Sequence, residues 1–300
     1  MQTLATPRFE RLALIGCGLM GGSFALAARQ AGLVRTIVGF SASEKTRHRA
    51  RELRVIDQAC TSVAEAVRGA DLVVLAVPVG AMRESFAAMA PALSAQTLLM
   101  DVGSTKSDVV AVAQTTLAGK LSCFVPAHPI AGKEVAGIEH ADADLYQNRQ
   151  VILTPTASSG VLQVALAQEI WRSLGGHVFQ MTPAQHDATF AAVSHVPHLL
   201  AYALINAIAA QADGAQWLAM GGPGFRDFSR IAASDPVIWR DILMANRHEV
   251  LRQTALLRQA LEDFETALQQ GQPKVLQQLI AKASATRAAW RLSGSSDSDV

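Results

Sequence analysis

Short apolar runs alternate with helical stretches through the first half of the chain. Arg11 to Ile15, Thr36 to Phe40, Leu72 to Val77 and Thr97 to Asp101 have the length and β-rich composition of parallel strands buried on both faces. Each leads through a turn into an amphipathic segment, which predicts right-handed βαβ units and a doubly wound sheet. Phe124-Val125-Pro126 and Val151-Ile152-Leu153 predict further strands that continue this sheet. After about Thr182 the strand signal disappears. Long Ala/Leu/Gln/Arg-rich stretches follow, from Pro183 to Ala212, Pro236 to Gln270 and Pro273 to Leu292. Each has a proline near its start, where a missing N–H costs nothing. The expectation is an α/β Rossmann-type doubly wound sheet over residues 8–180, an all-α helical domain over 181–292, and a disordered Ser/Asp-rich tail over 293–300.

Composition narrows the class. Half of the 300 residues are apolar and only 17% are charged, which excludes a disordered chain. A formal net charge of +1 provides no field that would gather nucleic acid or an anionic membrane. Cys17, Cys60 and Cys123 are an odd, scattered set without C-x-x-C spacing. They argue against a disulfide framework and a zinc site, and fit a reducing cytoplasm. Met1 to Glu10 lacks the basic start and apolar core of a signal peptide. No apolar run is expected to reach the length of a membrane span, Leu72 to Val79 being strand-sized. The expected protein is soluble and cytoplasmic.

The first chemical motif is Gly16-Cys17-Gly18-Leu19-Met20-Gly21, directly after the run Leu12 to Ile15 and directly before a helical pattern. Its glycines permit a tight turn, the approach of a pyrophosphate and close helix–strand packing, while the helix start offers N–H donors to the anion. At the end of the second strand Ser41 stands where an NAD enzyme places Asp or Glu, and Lys45, Arg47, His48 and Arg49 follow. A small hydroxyl among cations suits the 2′-phosphate of NADP, whereas Glu44 offers a ribose acceptor for NAD. The basic residues are equally accommodated as the exposed face of the next helix. Val77-Pro78 is positioned to wall a cofactor ribose. Asp101-Val102-Gly103-Ser104-Thr105-Lys106 ends the next strand at the ligand-binding edge, where Ser104 can bond a substrate hydroxyl or the nicotinamide amide, with helix capping as its alternative.

His128 follows, in Ala127-His128-Pro129-Ile130-Ala131-Gly132-Lys133-Glu134, on a loop after a short strand. With an ordinary imidazole pKa near about 6.5, it can act as a base around neutral pH. Ser194-His195-Val196-Pro197-His198 sets two more histidines near a kink, without the companions of a metal site. In Phe225-Arg226-Asp227-Phe228-Ser229-Arg230 the two arginines are four apart and share one helix face. Either can clamp a carboxylate, with a surface ion pair to Asp227 or Asp235 as the alternative.

Taken in order, Gly16-x-Gly18-x-x-Gly21, Asp101-Val-Gly-Ser104-x-Lys106, His128-Pro-x-Ala-Gly132-x-Glu134, Ser194-His195-x-Pro-His198 and Phe225-Arg226-Asp227-x-x-Arg230-Ile-Ala resemble the prephenate/arogenate dehydrogenase family of tyrosine biosynthesis. The resemblance runs from about Arg8 to Arg291 and implies NAD(P)-dependent oxidative decarboxylation of a cyclohexadienol. It implies that His128 accepts the proton of the ring hydroxyl while Ser104 orients it. His195, His198 and Arg230 surround the substrate, with Glu134 and Asp227 in a charge network beside Arg230. It also implies a homodimer formed through the helical domain, no metal, and a stand-alone catalytic chain without a fused chorismate mutase or ACT-type module. A related β-hydroxyacid dehydrogenase would use a lysine of the second domain, yet Thr182 to Ser234 contains none. A dinucleotide-sensing protein without activity would have lost His128, Ser104 or Arg230, and all three are present.

Overall fold

The apolar runs of the first half lie side by side in one parallel sheet of the computed structural model, which describes residues 8–117, 119–133 and 135–290. β1 (Phe9–Ile15), β2 (Val34–Phe40), β3 (Gln58–Ala59), β4 (Leu72–Leu75), β5 (Leu98–Asp101) and β6 (Phe124–Val125) pair in the order β3-β2-β1-β4-β5-β6. Every neighbouring pair is parallel. Helices α1 (Leu19–Gln30), α2 (Glu44–Glu52), α3 (Val63–Val67), α4 (Met82–Met89) and α5 (Ser107–Thr116) lie along the crossovers. Alternate residues of one strand feed opposite cores. Leu12 and Leu14 pack with Phe24 and Trp171, whereas Ala13 and Ile15 pack with Phe86 and Leu99. That is why these strands read as unbroken apolar runs. The strand order reverses between β1 and β4, which opens a crevice at their carboxyl ends.

The sheet departs from expectation beyond β6. Val151–Leu153 does not extend it. The chain continues through Pro126 into β7 (Ala127–Pro129), which pairs antiparallel with β8 (Gln150–Leu153). β8 then pairs in parallel with β9 (His177–Gln180), across α6 (Val161–Ser173). His128 therefore sits within a strand opposite Ile152, not on a loop. β3, β7 and β9 span two to four residues, too short to leave a periodic signal.

The helical half consists of α7 (Pro183–Phe190), α8 (Val196–Ala209), α9 (Gly214–Ala219), α10 (Pro223–Ser229), α11 (Pro236–Ala245), α12 (Arg247–Gln269) and α13 (Pro273–Ala289). Prolines open α7, α11 and α13 as anticipated, and Pro223 also opens α10. Two expected single helices are broken. Between α7 and α8 the residues Ala191–His195 form a π-turn. Pro197 lacks the N–H that would complete a regular ladder, and its ring would crowd the carbonyl four residues back. The second break is Asn246, between α11 and α12, whose buried side chain is diverted into a polar network. Pro183–Ala209 is long and apolar enough to cross a membrane, correcting the expectation that no such stretch exists. It is the segment that carries His186, Asp187 and His195 into the interior and leaves His198 half-buried. Glu134 and the 293–300 tail lie outside the described residues.

Candidate active site

The glycine turn after β1 is a cradle at the crevice. Gly16 has φ +100°, and a Cβ there would lie 2.3 Å from the Ala76 carbonyl oxygen. A Cβ on Gly21 would lie 2.2 Å from the Gly16 carbonyl oxygen, so α1 packs tightly onto the turn. Gly18 has no atom within 4 Å of its Cβ direction and faces two recesses of about 840 and 330 Å³. α1 starts without a side-chain cap, leaving its first N–H groups for an anion. Leu19, Met20, Val77, Pro78 and Ser104 line the smaller recess, and Ser41 lines the larger. These residues fit a dinucleotide. Arg47 is a correction: its guanidinium donates back to the carbonyls of Ser41 and Ala42 and lies over Phe40, so Lys45, Thr46 and Arg49 line the recess instead.

His128 is one end of a hydrogen-bonded chain that crosses between the two halves of the protein. Its Nδ1 lies 2.8 Å from Nε2 of His186, and Nδ1 of His186 lies 2.9 Å from Oδ1 of Asp187. The Asp187 carboxylate also accepts from the backbone N–H groups of Lys106 (2.9 Å) and Ser107 (2.8 Å), capping α5. Burial raises the Asp187 pKa, but the hydrogen bonds from His186, Ser107 and Lys106 outweigh it and hold the carboxyl below its usual range. An ionised carboxylate can only accept. Hence His186 carries its proton on Nδ1, its Nε2 accepts from His128 Nδ1–H, and the bare Nε2 of His128 is left for the 500 Å³ cavity that His128 lines. Burial, with the neighbouring His186, Lys106 and His195, pushes the His128 pKa well below 6.5, so the ring is neutral at physiological pH.

Lys106 lines none of these recesses. It is fully buried, paired with Asp101, and donates to the Ala127 carbonyl at 2.8 Å. Asp101 in turn accepts from the N–H of Gly103 (2.8 Å) and Ala127 (3.1 Å). The pair ties the Ser104 loop to the strand holding His128. Ser104 itself lines the small recess, the 500 Å³ cavity and a 340 Å³ recess next to them. It does not cap α5, whose N-cap position is Lys106.

The π-turn sets the remaining histidines. Twelve positions separate His186 from His198, about 120° out of phase in a regular helix turning about 100° per residue. The extra residue of a π-turn absorbs about 100° of that and brings both toward one face. His195 is buried, and its Nδ1 accepts from Asn246 Nδ2 at 3.1 Å, while the same amide donates to the Asp187 carbonyl at 2.8 Å. Burial lowers the His195 pKa to about 4. His198 donates from Nδ1 to the Ser194 carbonyl (2.9 Å) and stacks on Trp239 with ring centroids 3.4 Å apart. His195, His198 and Arg230 line the cavity together with His128. Asp227 does not. It pairs with Arg226 at 3.3 Å, and both side chains are more than 70% exposed, so the surface reading of that pair holds. His186, Asp187, Asn246 and Trp239 had no motif to reveal them. His186 and Asp187 follow a proline-started helix pattern, where spacing alone cannot separate a site from a core.

Comparison with known proteins adds an independent line. The family profile for the prephenate dehydrogenase nucleotide-binding domain matches residues 24–180, and that for the prephenate dehydrogenase dimerization domain matches residues 182–282. The chain is 38% identical over 245 residues to a cyclohexadienyl dehydrogenase of Zymomonas mobilis, covering 81% of this chain and 83% of the relative. It is 33% identical over 248 residues to a prephenate dehydrogenase of Bacillus subtilis, covering 81% and 66%. The crystal structure of prephenate dehydrogenase from A. aeolicus in complex with hydroxyphenyl propionate and NAD+ aligns with a TM-score of 0.87 at 32% identity, over 93% of this chain and 97% of that one. Synechocystis arogenate dehydrogenase aligns with a TM-score of 0.79 at 28% identity, over 93% and 99%.

Proposed function

Because this chain belongs to the prephenate dehydrogenase family, we propose that its cavity binds prephenate or arogenate and that His128 is the base in their oxidative decarboxylation. The observation that carries the assignment of the base is the hydrogen-bonded chain that leaves Nε2 of His128 bare toward the cavity. That atom takes the proton of the ring C4 hydroxyl, which Ser104 holds in line. When bound in the crevice, the nicotinamide supplies hydride acceptance at C4. The bond from C1 to its carboxylate breaks, its electron pair flows into the ring toward the C4 oxygen, and carbon dioxide leaves. The C4 oxygen then recovers its proton from His128, so the reaction releases none. A ring whose pKa lies well below 6.5 returns the proton readily once it has taken it. Aromatisation drives the decarboxylation, which leaves the protein to position the substrate and handle one proton.

Arg230 receives a substrate carboxylate, and the His198–Trp239 stack walls the ring. NADP is favoured over NAD, because Ser41, Lys45, Thr46 and Arg49 line the recess beyond β2 and no acidic residue follows Phe40 directly. Arg49 also lies 3.5 Å from Glu139, an acceptor suited to a ribose diol, which supports use of both cofactors. The protein acts as a homodimer. Leu251, Leu256, Leu261 and Leu268 along α12 are all more than half exposed, and a second copy would cover them. Cys17, Cys60 and Cys123 are free and buried, in keeping with a cytoplasmic location.

The test is to mix the purified protein with prephenate or arogenate and NAD or NADP, following the absorbance of reduced nicotinamide. Turnover with at least one pair is expected, faster with NADP. Absence of turnover with all four pairs refutes the assignment.

A further inference from the structure

Arg149 enters the same 500 Å³ cavity from the side opposite the helical domain, at the start of β8. Its backbone is fixed on both edges. The N–H donates to the Tyr146 carbonyl at 3.1 Å, and the carbonyl accepts from His177 N–H at 2.8 Å. Asn148 before it holds φ +57°, the left-handed region, with its N–H on the Gly175 carbonyl at 2.9 Å. Gln150 after it accepts from Ile130 N–H at 2.7 Å, which ties the position to the chain just beyond His128. A strained residue held between two strand edges places the Cα of Arg149 rigidly at the cavity rim.

The guanidinium, by contrast, makes no hydrogen bond or ion pair with any described residue. The cavity is lined by two permanently charged cations, Arg149 and Arg230, and by no acidic side chain among the described residues. The other lysines nearby are committed elsewhere: Lys106 to Asp101 and Lys133 to Asp142. Prephenate and arogenate each carry two carboxylates, one on the ring and one on the side chain.

We propose that Arg149 receives the side-chain carboxylate of the substrate, the one that does not leave as carbon dioxide, so that Arg149 and Arg230 read its two ends while His128 and Ser104 hold its hydroxyl. The proposal rests on the functional reading above. Arg149 acts on binding alone: it touches neither the hydroxyl nor the cofactor crevice, so its contribution is equal in the ground and transition states and falls on KM.

The experiment compares wild type, R149Q and R149K by steady-state kinetics with prephenate and NADP at low and high salt. R149Q raises the KM for prephenate about tenfold, as expected for a charge-assisted hydrogen bond weakened by its position at the rim. kcat falls by much less than KM rises, and the KM for NADP is unaltered. R149K recovers part of the loss, because a point charge replaces a bidentate fork. High salt raises the wild-type KM toward that of R149Q, since screening removes the same attraction. A misfolded variant would instead lose kcat and cofactor affinity together. An R149Q protein whose KM for prephenate stays within twofold of wild type, beside an active wild type, overturns the inference and leaves the function standing. A wild type inactive with all four pairs of substrate and cofactor overturns both.

Discussion

Replacing His186 by Phe tests the orientation of the base without touching the cavity. His186 is fully buried, and Phe190 stands 4.5 Å from its ring and 5.0 Å from that of His128, so an added aromatic side chain meets an aromatic nest. Asp187 keeps its two backbone donors from Lys106 and Ser107. The change that matters is at His128, whose Nδ1–H now faces a hydrocarbon ring. A buried donor without an acceptor costs about 1–3 kcal/mol. Nδ1 has no partner in either tautomer, so the ring loses the bias that held its proton there, and with the proton on Nε2, which the cavity can solvate, it has no lone pair for the substrate. The competent tautomer is then disfavoured by about the same 1–3 kcal/mol, a factor of roughly 5 to 150. kcat at saturating substrate should fall by that factor while the KM for NADP stays put. His186→Gln, whose amide can accept from His128 and donate to Asp187, should keep more of the rate than His186→Phe. A His186→Phe enzyme within twofold of the wild-type kcat would refute the tautomer argument.

Four further outcomes are expected. His128→Asn should lose turnover by at least about a hundredfold, the usual contribution of a general base, while NADPH titrated by fluorescence binds as in wild type. Because its surroundings hold the His128 pKa well below 6.5, kcat/KM should stay level as pH falls through 6.5 and decline only at lower pH; a limb centred at 6.5 would count against the site. Stability should also fall with acid. His128, His186 and His195 are depressed in the folded state by burial, so below about 6.5 the unfolded chain binds protons that the folded chain refuses, and each contributes a loss of up to about 1.4 kcal/mol per pH unit. For His195 the loss ends near its folded value of about 4, and urea midpoints at pH 7 and pH 5 would register it. Lys106→Met should cost about 3–5 kcal/mol in the same urea assay, because Asp101 is left as an uncompensated buried charge.

The sequence yields elements whose periodicity is long and motifs whose spacing is local. The Rossmann order follows from β1, β2, β4 and β5, each an apolar run followed by a helical pattern, and Gly16, Gly18, Gly21 and Ser104 stand at the carboxyl edge where their motifs place them, whereas His128 lies in a strand too short to be read. What stays illegible depends on distance through space. The bond between His128 and His186 joins residues 58 apart, and the two Asp187 caps join residues 80 and 81 apart. No local pattern encodes them. Arg47 misleads for a related reason: the turn after β2 is equally basic whichever guanidinium folds back, and only in the fold is Arg47 seen to be occupied with carbonyls. The π-turn hides because helix phase is inferred from spacing, and one added residue shifts every position after it.

Asp187 also governs how the molecule can breathe. Its carboxylate grips the first turn of α5 in one domain, and its carbonyl is gripped by Asn246, between α11 and α12, in the other. Pulling these apart would strip a buried anion of its donors, at about 1.5–3 kcal/mol for each bond lost. Any motion that parted the two domains would meet its greatest resistance at Asp187 and would yield more readily at the small recess, where Ile238 and Ile242 of α11 face Val79. His128, bonded through His186 to the same carboxylate, would keep its orientation through such a motion.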